Sequence, residues 1–222
     1  MWRKQQFWWN DTNANRTHAN AHEPESFNHE RDGLSAFGVA GVTVISMSAT
    51  ATDPDNDAVT YKWSYGSATS SEPTFAATLS GDGEVPIQLT VSDGKGGTAS
   101  DSRSVMVGNM TGRWSFIFTG VCNPKTPTVL PILAITQFGR VVTGDLISPA
   151  AWCNVPAGQT GRLDPAAPAA IDEQGNFTGA RLKIGSYFDT FLTGRMDPTG
   201  RLITGTTRSI SGSTNTFKME KQ

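Results

Sequence analysis

Three aspartates alternate in one short loop: Asp53-Pro54-Asp55-Asn56-Asp57. Oxygen ligands at alternate positions in a loop suit Ca²⁺, which takes six to eight of them. Asp53, Asp55 and Asp57 are therefore the candidate metal ligands, with Asp93 and Asp101 available from neighbouring elements. The twelve-residue EF-hand loop with its closing Glu is absent, and the competing role for these aspartates is turn formation and solubility. His18 and His22 stand four apart among Glu23, Glu25 and Glu30, but their Asn-rich flanks argue against the helix that would pair them.

Catalytic chemistry has little to draw on. No histidine follows His29, so neither a Ser-His-Asp nor a Cys-His arrangement can be assembled from the later chain. Asp189 is the acid within the aromatic run Tyr187-Phe188-Asp189-Thr190-Phe191: facing inward it would be a general base or ligand contact, but a half-buried strand favours the solvent-facing position. Paired-carboxylate hydrolysis would need a second acid facing it, and nothing singles one out. The reading is non-enzymatic.

Cys122 and Cys153 are the only two cysteines. An even pair in a Gly- and Thr-rich chain predicts a disulfide and an oxidising compartment, extracellular, cell-surface or periplasmic; two buried free thiols are the alternative. No apolar run approaches the ~18 residues of a membrane span. Residues 1–31 lack the apolar core and small-residue cleavage site of an export signal.

Charge divides along the 222 residues. Residues 34–110 carry three Lys and Arg against eight Asp and Glu, a net of −5, whereas residues 111–222 carry eleven against seven, a net of +4. Eleven cations dispersed over a β domain fall short of the clustered footprint that nucleic acid requires.

The elements that must position these groups follow from periodicity. Residues 1–33 show no sustained period and read as a disordered N-terminal segment, despite Trp2, Phe7, Trp8 and Trp9. From Val39 onward apolar residues alternate: Ile45, Met47 and Ala49, then Val59, Tyr61 and Trp63, then Ile87, Leu89 and Val91, then Val105 and Val107. Short half-buried strands between Asp, Gly, Pro and Ser turns predict an antiparallel sandwich centred on Trp63.

A second strand series follows the junction 109–111: Trp114–Thr119, Leu130–Phe138, Arg140–Leu146, Phe177–Ile184, Tyr187–Met196, Arg201–Thr207 and Asn215–Met219. Asp172-Glu173-Gln174-Gly175 and Asp197-Pro198-Thr199-Gly200 are near-repeated turns, with the carboxylate capping and Gly supplying positive φ. Sequential hairpins predict a meander, and closing it into a barrel removes its edges. Bulky alternation at Leu130 and Ile132, Leu182 and Ile184, and Phe188 and Leu192 predicts a filled interior. A narrow pocket with Arg181, Lys183 or Asp189 at its mouth is the alternative.

Two resemblances sharpen this. Asp53–Asp57, Val59–Gly66 and Leu89–Ser100 together resemble a PKD (polycystic-kidney-disease) domain over about residues 35–108. Trp63 and Gly66 match its Trp-x-x-Gly segment and Asp93-Gly94 its Val-x-Asp-Gly turn, while Tyr65-Gly66-Ser67 replaces the common Gly-Asp-Gly. The resemblance implies an Ig-like sandwich of a secreted bacterial protein, with calcium near Asp53, Asp55 and Asp57. Gly112-Arg113-Trp114, followed by Gln137-x-Gly139 and Val142-Thr143-Gly144, resembles the opening of calycin barrels (lipocalins and avidins). It implies a Trp at the closed end, stacked on a cation such as Lys218 or Lys221. An avidin-type biotin site would need more inward Trp than Trp114 and Trp152 supply.

The expectation is an all-β chain: a disordered segment 1–33, an Ig-like β-sandwich 34–108, and an antiparallel meander barrel 111–222. It acts as a secreted or cell-surface binding or adhesion protein, the sandwich a spacer and the barrel a surface for a protein or carbohydrate partner. The alternative is a small-ligand carrier using the barrel interior. The sequence leaves its oligomeric state open.

Overall fold

A computed structural model of the chain describes residues 36–51, 53, 57–119, 130–148, 151 and 155–222. Cys122, Cys153, Asp55, Trp152 and the segment 1–33 lie outside the described residues. Every regular element among the described residues is a β-strand. They form two compact units. One comprises Val44–Thr78 and Val85–Val105, and the other Phe37–Thr43, Leu79–Glu84 and Met106–Gln222.

The first series of strands is β1 (Ala36–Val39), β2 (Val44–Ser48), β3 (Thr60–Tyr65), β4 (Ala68–Ser70), β5 (Thr74–Thr78), β6 (Gly83–Ser92) and β7 (Thr98–Gly108). They build a five-stranded sheet in the order β1-β7-β6-β3-β4 and a two-stranded sheet β2-β5. Alternation acts as expected. Trp63 and Tyr65 of β3 are buried, as are Ile87, Leu89 and Val91 of β6, while Thr60 and Lys62 point to solvent. The Trp63 ring stacks on Phe75 of the other sheet, centroids 5.9 Å apart and planes 10° from parallel. Its indole N–H donates to the Glu72 carbonyl at 3.0 Å, so the ring is buried with its polar atom satisfied.

The second series is β8 (Gly112–Thr119), β9 (Ile132–Phe138), β10 (Val141–Ser148), β11 (Gln159–Leu163), β12 (Ala169–Ile171), β13 (Asn176–Ile184), β14 (Phe188–Met196), β15 (Leu202–Ser209) and β16 (Thr214–Lys221). Each pairs antiparallel with its neighbour, and β9 pairs with both β8 and β10, which closes the ring. The short strands β11 and β12 together fill one place between β10 and β13: β11 takes Asp145–Ser148 and β12 takes Val141 and Val142. The barrel therefore has eight staves.

Its interior is packed. Trp114, Phe116, Leu133, Leu146, Phe177, Leu182, Ile184, Leu192, Ile203 and Met219 retain no accessible surface, so no water-sized void touches them. In β9 the inward residues are Leu133 and Ile135. The expected inward Ile132 sits one step out of phase and is only partly covered. A one-residue shift exchanges the two faces of a strand, and the run Leu130-Pro131-Ile132-Leu133 carries apolar residues on both. Gly194 and Gly205 face each other across β14 and β15 at inward positions. A Cβ on Gly205 would lie 2.1 Å from the Thr193 carbonyl oxygen and 2.8 Å from the Phe217 ring. The two glycines thus let the strands coil tightly and leave the vacated space to Phe217.

Candidate functional site

The lumen is obstructed at the end away from Trp114. Phe118 of β8 and Phe188 of β14 meet edge-on, centroids 5.1 Å apart, although two staves separate their strands on that side of the ring. The contact therefore crosses the barrel. Phe118 also packs on Phe116 at 4.9 Å, and Phe116 stacks on Phe217 at 5.6 Å. Four rings thus form one aromatic column within the barrel.

At the Trp114 end the indole N–H donates to the Met110 carbonyl at 2.7 Å. Lys221 Nζ stands 5.7 Å from the centroid of the Trp114 ring. The same ammonium donates at 2.7 Å both to Asp82 and to the Asn109 carbonyl. Of the two cations expected against this ring, Lys221 is the one in place; Lys218 pairs with Glu220. Gln137 completes this end. Its amide oxygen accepts from the Met110 N–H at 2.8 Å, and its amide nitrogen donates to the Ala40 and Gly139 carbonyls at 2.7 and 3.0 Å.

The outer face of the barrel is chemically richer. Because β13 and β14 alternate, the residues between buried Leu182, Ile184 and Leu192 point outward: Arg181, Lys183 and Phe191. A register shift between Phe177 and Ala180, with Gly179 at φ 73°, sets that phase in β13. Arg181 and Lys183 therefore lie on the outer surface, not at the mouth of a lumen pocket. Asp189 also belongs to this face, as expected for a solvent-side acid.

Arg181 donates to Asp189 through Nε and one terminal nitrogen, at 2.8 and 2.7 Å, a planar two-point pair. This bond keeps the guanidinium firmly charged. Lys183 bonds Asp164 at 2.8 Å, and that bond, with the Ala166 N–H, holds the Asp164 carboxyl below its ordinary range. Asp189, occupied by Arg181 on both oxygens, is poorly placed to act as a general base.

Register aligns Arg181, Phe191, Arg208 and Thr214 in one row across β13 to β16. The next row joins Thr193, Thr206 and Thr216, and the one beyond joins Arg195, Thr204 and Lys218. An open cleft of about 560 Å³ lies over the first two rows, reaching Ser209 and Ile210. Phe191 is 42% and Ile210 63% exposed. The Arg181 guanidinium lies 5.5 Å from the Phe191 ring centroid. No ion pair engages Arg208 or Arg195 among the described residues. Sequence alternation places each of these side chains outward, but only strand register brings them into rows.

The acidic loop is partly described. Asp53 accepts the Asp57 N–H at 3.3 Å, and Asp57 lies 3.5 Å from the Lys95 ammonium. Asp93 caps its turn by accepting the Lys95 and Gly97 N–H groups at 2.8 and 2.9 Å, while Asp101 accepts the Ser102 N–H at 2.8 Å. Among the described residues no three acidic, His or Cys side chains gather as a metal site.

Comparison with known proteins agrees with the first unit. Residues 31–106 match the bacterial Ig domain family. Such domains are generally non-catalytic and suggest a surface or extracellular module. The match spans the sandwich and stops short of the barrel. No curated protein matches the chain. Among solved structures, a quinonprotein alcohol dehydrogenase-like protein from Bacteroides thetaiotaomicron aligns at 9% identity and a TM-score of 0.27, covering 82% of this chain and 69% of that one. No helix among the described residues is long and apolar enough to cross a membrane.

Proposed function

We propose that the chain is a non-catalytic, extracellular or cell-surface binding protein. Its Ig-like module serves as spacer or interaction domain, and its barrel engages a partner through the outer face. The observation that carries this reading is the Phe118–Phe188 contact across the lumen, backed by Phe217 beside Gly194 and Gly205. A carrier needs an internal cavity, and these rings occupy the space it would use. Arg208, which has no ion pair among the described residues, and exposed Phe191 offer an alternative place to bind. A secreted placement accords with the PKD-like motifs and with a Cys122–Cys153 bridge, which thiol titration of denatured, unreduced protein would reveal as an absence of free thiol.

Retention of the full chain on cell-envelope preparations, with native mass spectrometry of protein from its own source, tests the reading. Retention without a stoichiometric small molecule is expected. A bound small molecule at sub-micromolar affinity, with no retention, would replace the surface protein by the carrier.

A further inference from the structure

We propose that the outer cleft over β13, β14 and β15 binds an acidic oligosaccharide, a chain of sugar rings bearing carboxylates. The proposal rests on the surface-binding reading and names its ligand class.

The chemistry lies in the rows. Phe191 presents an exposed ring between two guanidiniums on adjacent strands. Arg181, fixed by Asp189 and stacked on that ring, is structural. Arg208 keeps its five donors free of any carboxylate among the described residues, and a carboxylate is the group that satisfies them in a planar pair. Beside this row, Thr193 and Thr206 supply hydroxyls, which can donate and accept as sugar hydroxyls do. Beyond them Arg195, on the next row but one, offers a second guanidinium with no ion pair among the described residues. With about 3.4 Å per residue along a strand, the rows of Arg208 and Arg195, four residues apart, stand about 14 Å apart. That span suits a chain of rings rather than one small ion. The apolar face of a pyranose covers Phe191, its carboxylate reaches Arg208, and its hydroxyls meet the threonines.

Two other anionic polymers fit less well. An extended acidic peptide gains affinity by adding a strand to a free sheet edge, whereas β14 is paired on both sides in a closed ring. Single-stranded nucleic acid needs successive aromatic platforms for its bases, and this cleft has one exposed ring.

The test is calorimetric titration of the full chain with a six-unit oligogalacturonate, with amide shifts read at Phe191 and Arg208. Its methyl ester, a polyglutamate peptide and an oligothymidylate serve as comparison ligands. Binding of the oligogalacturonate with shifts at both residues is expected, at least tenfold tighter than the ester. Arg208→Gln and Phe191→Ser should each weaken it about tenfold or more, and Arg113→Gln on β8 should leave it unchanged. Equal affinity for the ester, the peptide or the oligonucleotide overturns the proposal, as does no binding at millimolar oligogalacturonate. If the protein is still retained on envelopes in that case, the ligand class falls and the surface reading stands.

Discussion

Lys221 sits over the ring of Trp114, with its ammonium shared between Asp82 and the carbonyl of Asn109. The lysine side chain is only 7% exposed, and such burial of a cation requires satisfied donors and a compensating charge. Two carboxylate or carbonyl acceptors and an aromatic face meet that need. Lys221→Met should therefore destabilise the second unit by about 1–3 kcal/mol, seen as a lower urea midpoint followed through Trp fluorescence. A loss below about 0.5 kcal/mol would mean that this ammonium contributes no more than an ordinary surface pair.

Gly205 is predicted to reject even a methyl group. The nearest obstacle to its Cβ is the Thr193 carbonyl at 2.1 Å, and the Gly194 Cα follows at 2.5 Å. Both are backbone, so the strand itself must move. Gly205→Ala should cost about 3 kcal/mol or more, at the upper end of overpacking penalties. Adding Phe217→Leu should not restore stability, because the shortened ring leaves the carbonyl in place. Recovery in the double variant would show that the ring is the true obstruction.

Acid should unfold the second unit through its turn aspartates. Burial would raise the carboxyls of Asp172 and Asp197, but the hydrogen bonds they accept outweigh it and lower both. Asp172 is served by Asn176 and Gln174, and Asp197 by Thr199, Leu202 and Arg201. A carboxyl depressed in the folded state adds stability above its unfolded value of about 3.9, and that stability is lost as pH falls below it. Stability should be level from pH 6 to about pH 5 and fall progressively as pH drops from there to pH 3. In Asp172→Asn/Asp197→Asn protein the fall should be shallower, from a lower starting value. Parallel curves for the two proteins would assign the acid limb to other groups.

Calcium at Asp53, Asp55 and Asp57 is predicted to stabilise the Ig-like module only weakly. Extracellular sites bind in the range of about 10⁻⁴–10⁻³ M, which at millimolar calcium gives about 0.5–1.5 kcal/mol. The Lys95 ammonium beside Asp57 competes for the same carboxylate, so Lys95→Met should enlarge the calcium-dependent rise in melting temperature. No rise in either protein, or an equal rise in Asp53→Asn/Asp57→Asn protein, would remove calcium from the loop.

Much of the architecture was legible from period-two alternation. Strands β9, β10 and β13 to β16 fall within two residues of their expected bounds, although the inward phase of β9 was read one residue off. β11 and β12 were missed for a definable reason. They are five and three residues long, lie in a stretch rich in Pro, Ala and Gly, and owe their existence to partners on β10 and β13. A cation over Trp114, either Lys218 or Lys221, was an implication of the calycin resemblance, but Asp82, which neutralises Lys221, is 139 residues away in sequence. The cleft was the least legible feature. Arg181, Phe191 and Arg208 become neighbours only through register, and the bulge near Gly179 that sets part of that register leaves no distinctive pattern in the sequence.

The eight-staved ring also separates two kinds of evolutionary freedom. Its inward residues are locked to one another by the aromatic column, so change there is felt throughout the barrel. Its outward residues touch solvent and few neighbours, and no edge strand constrains them. The outer rows are thus a writable surface on a fixed frame. Diversifying Phe191, Thr193, Thr206 and Arg208 together should leave the fold intact and yield new specificities, which would make the barrel a display scaffold in its own right.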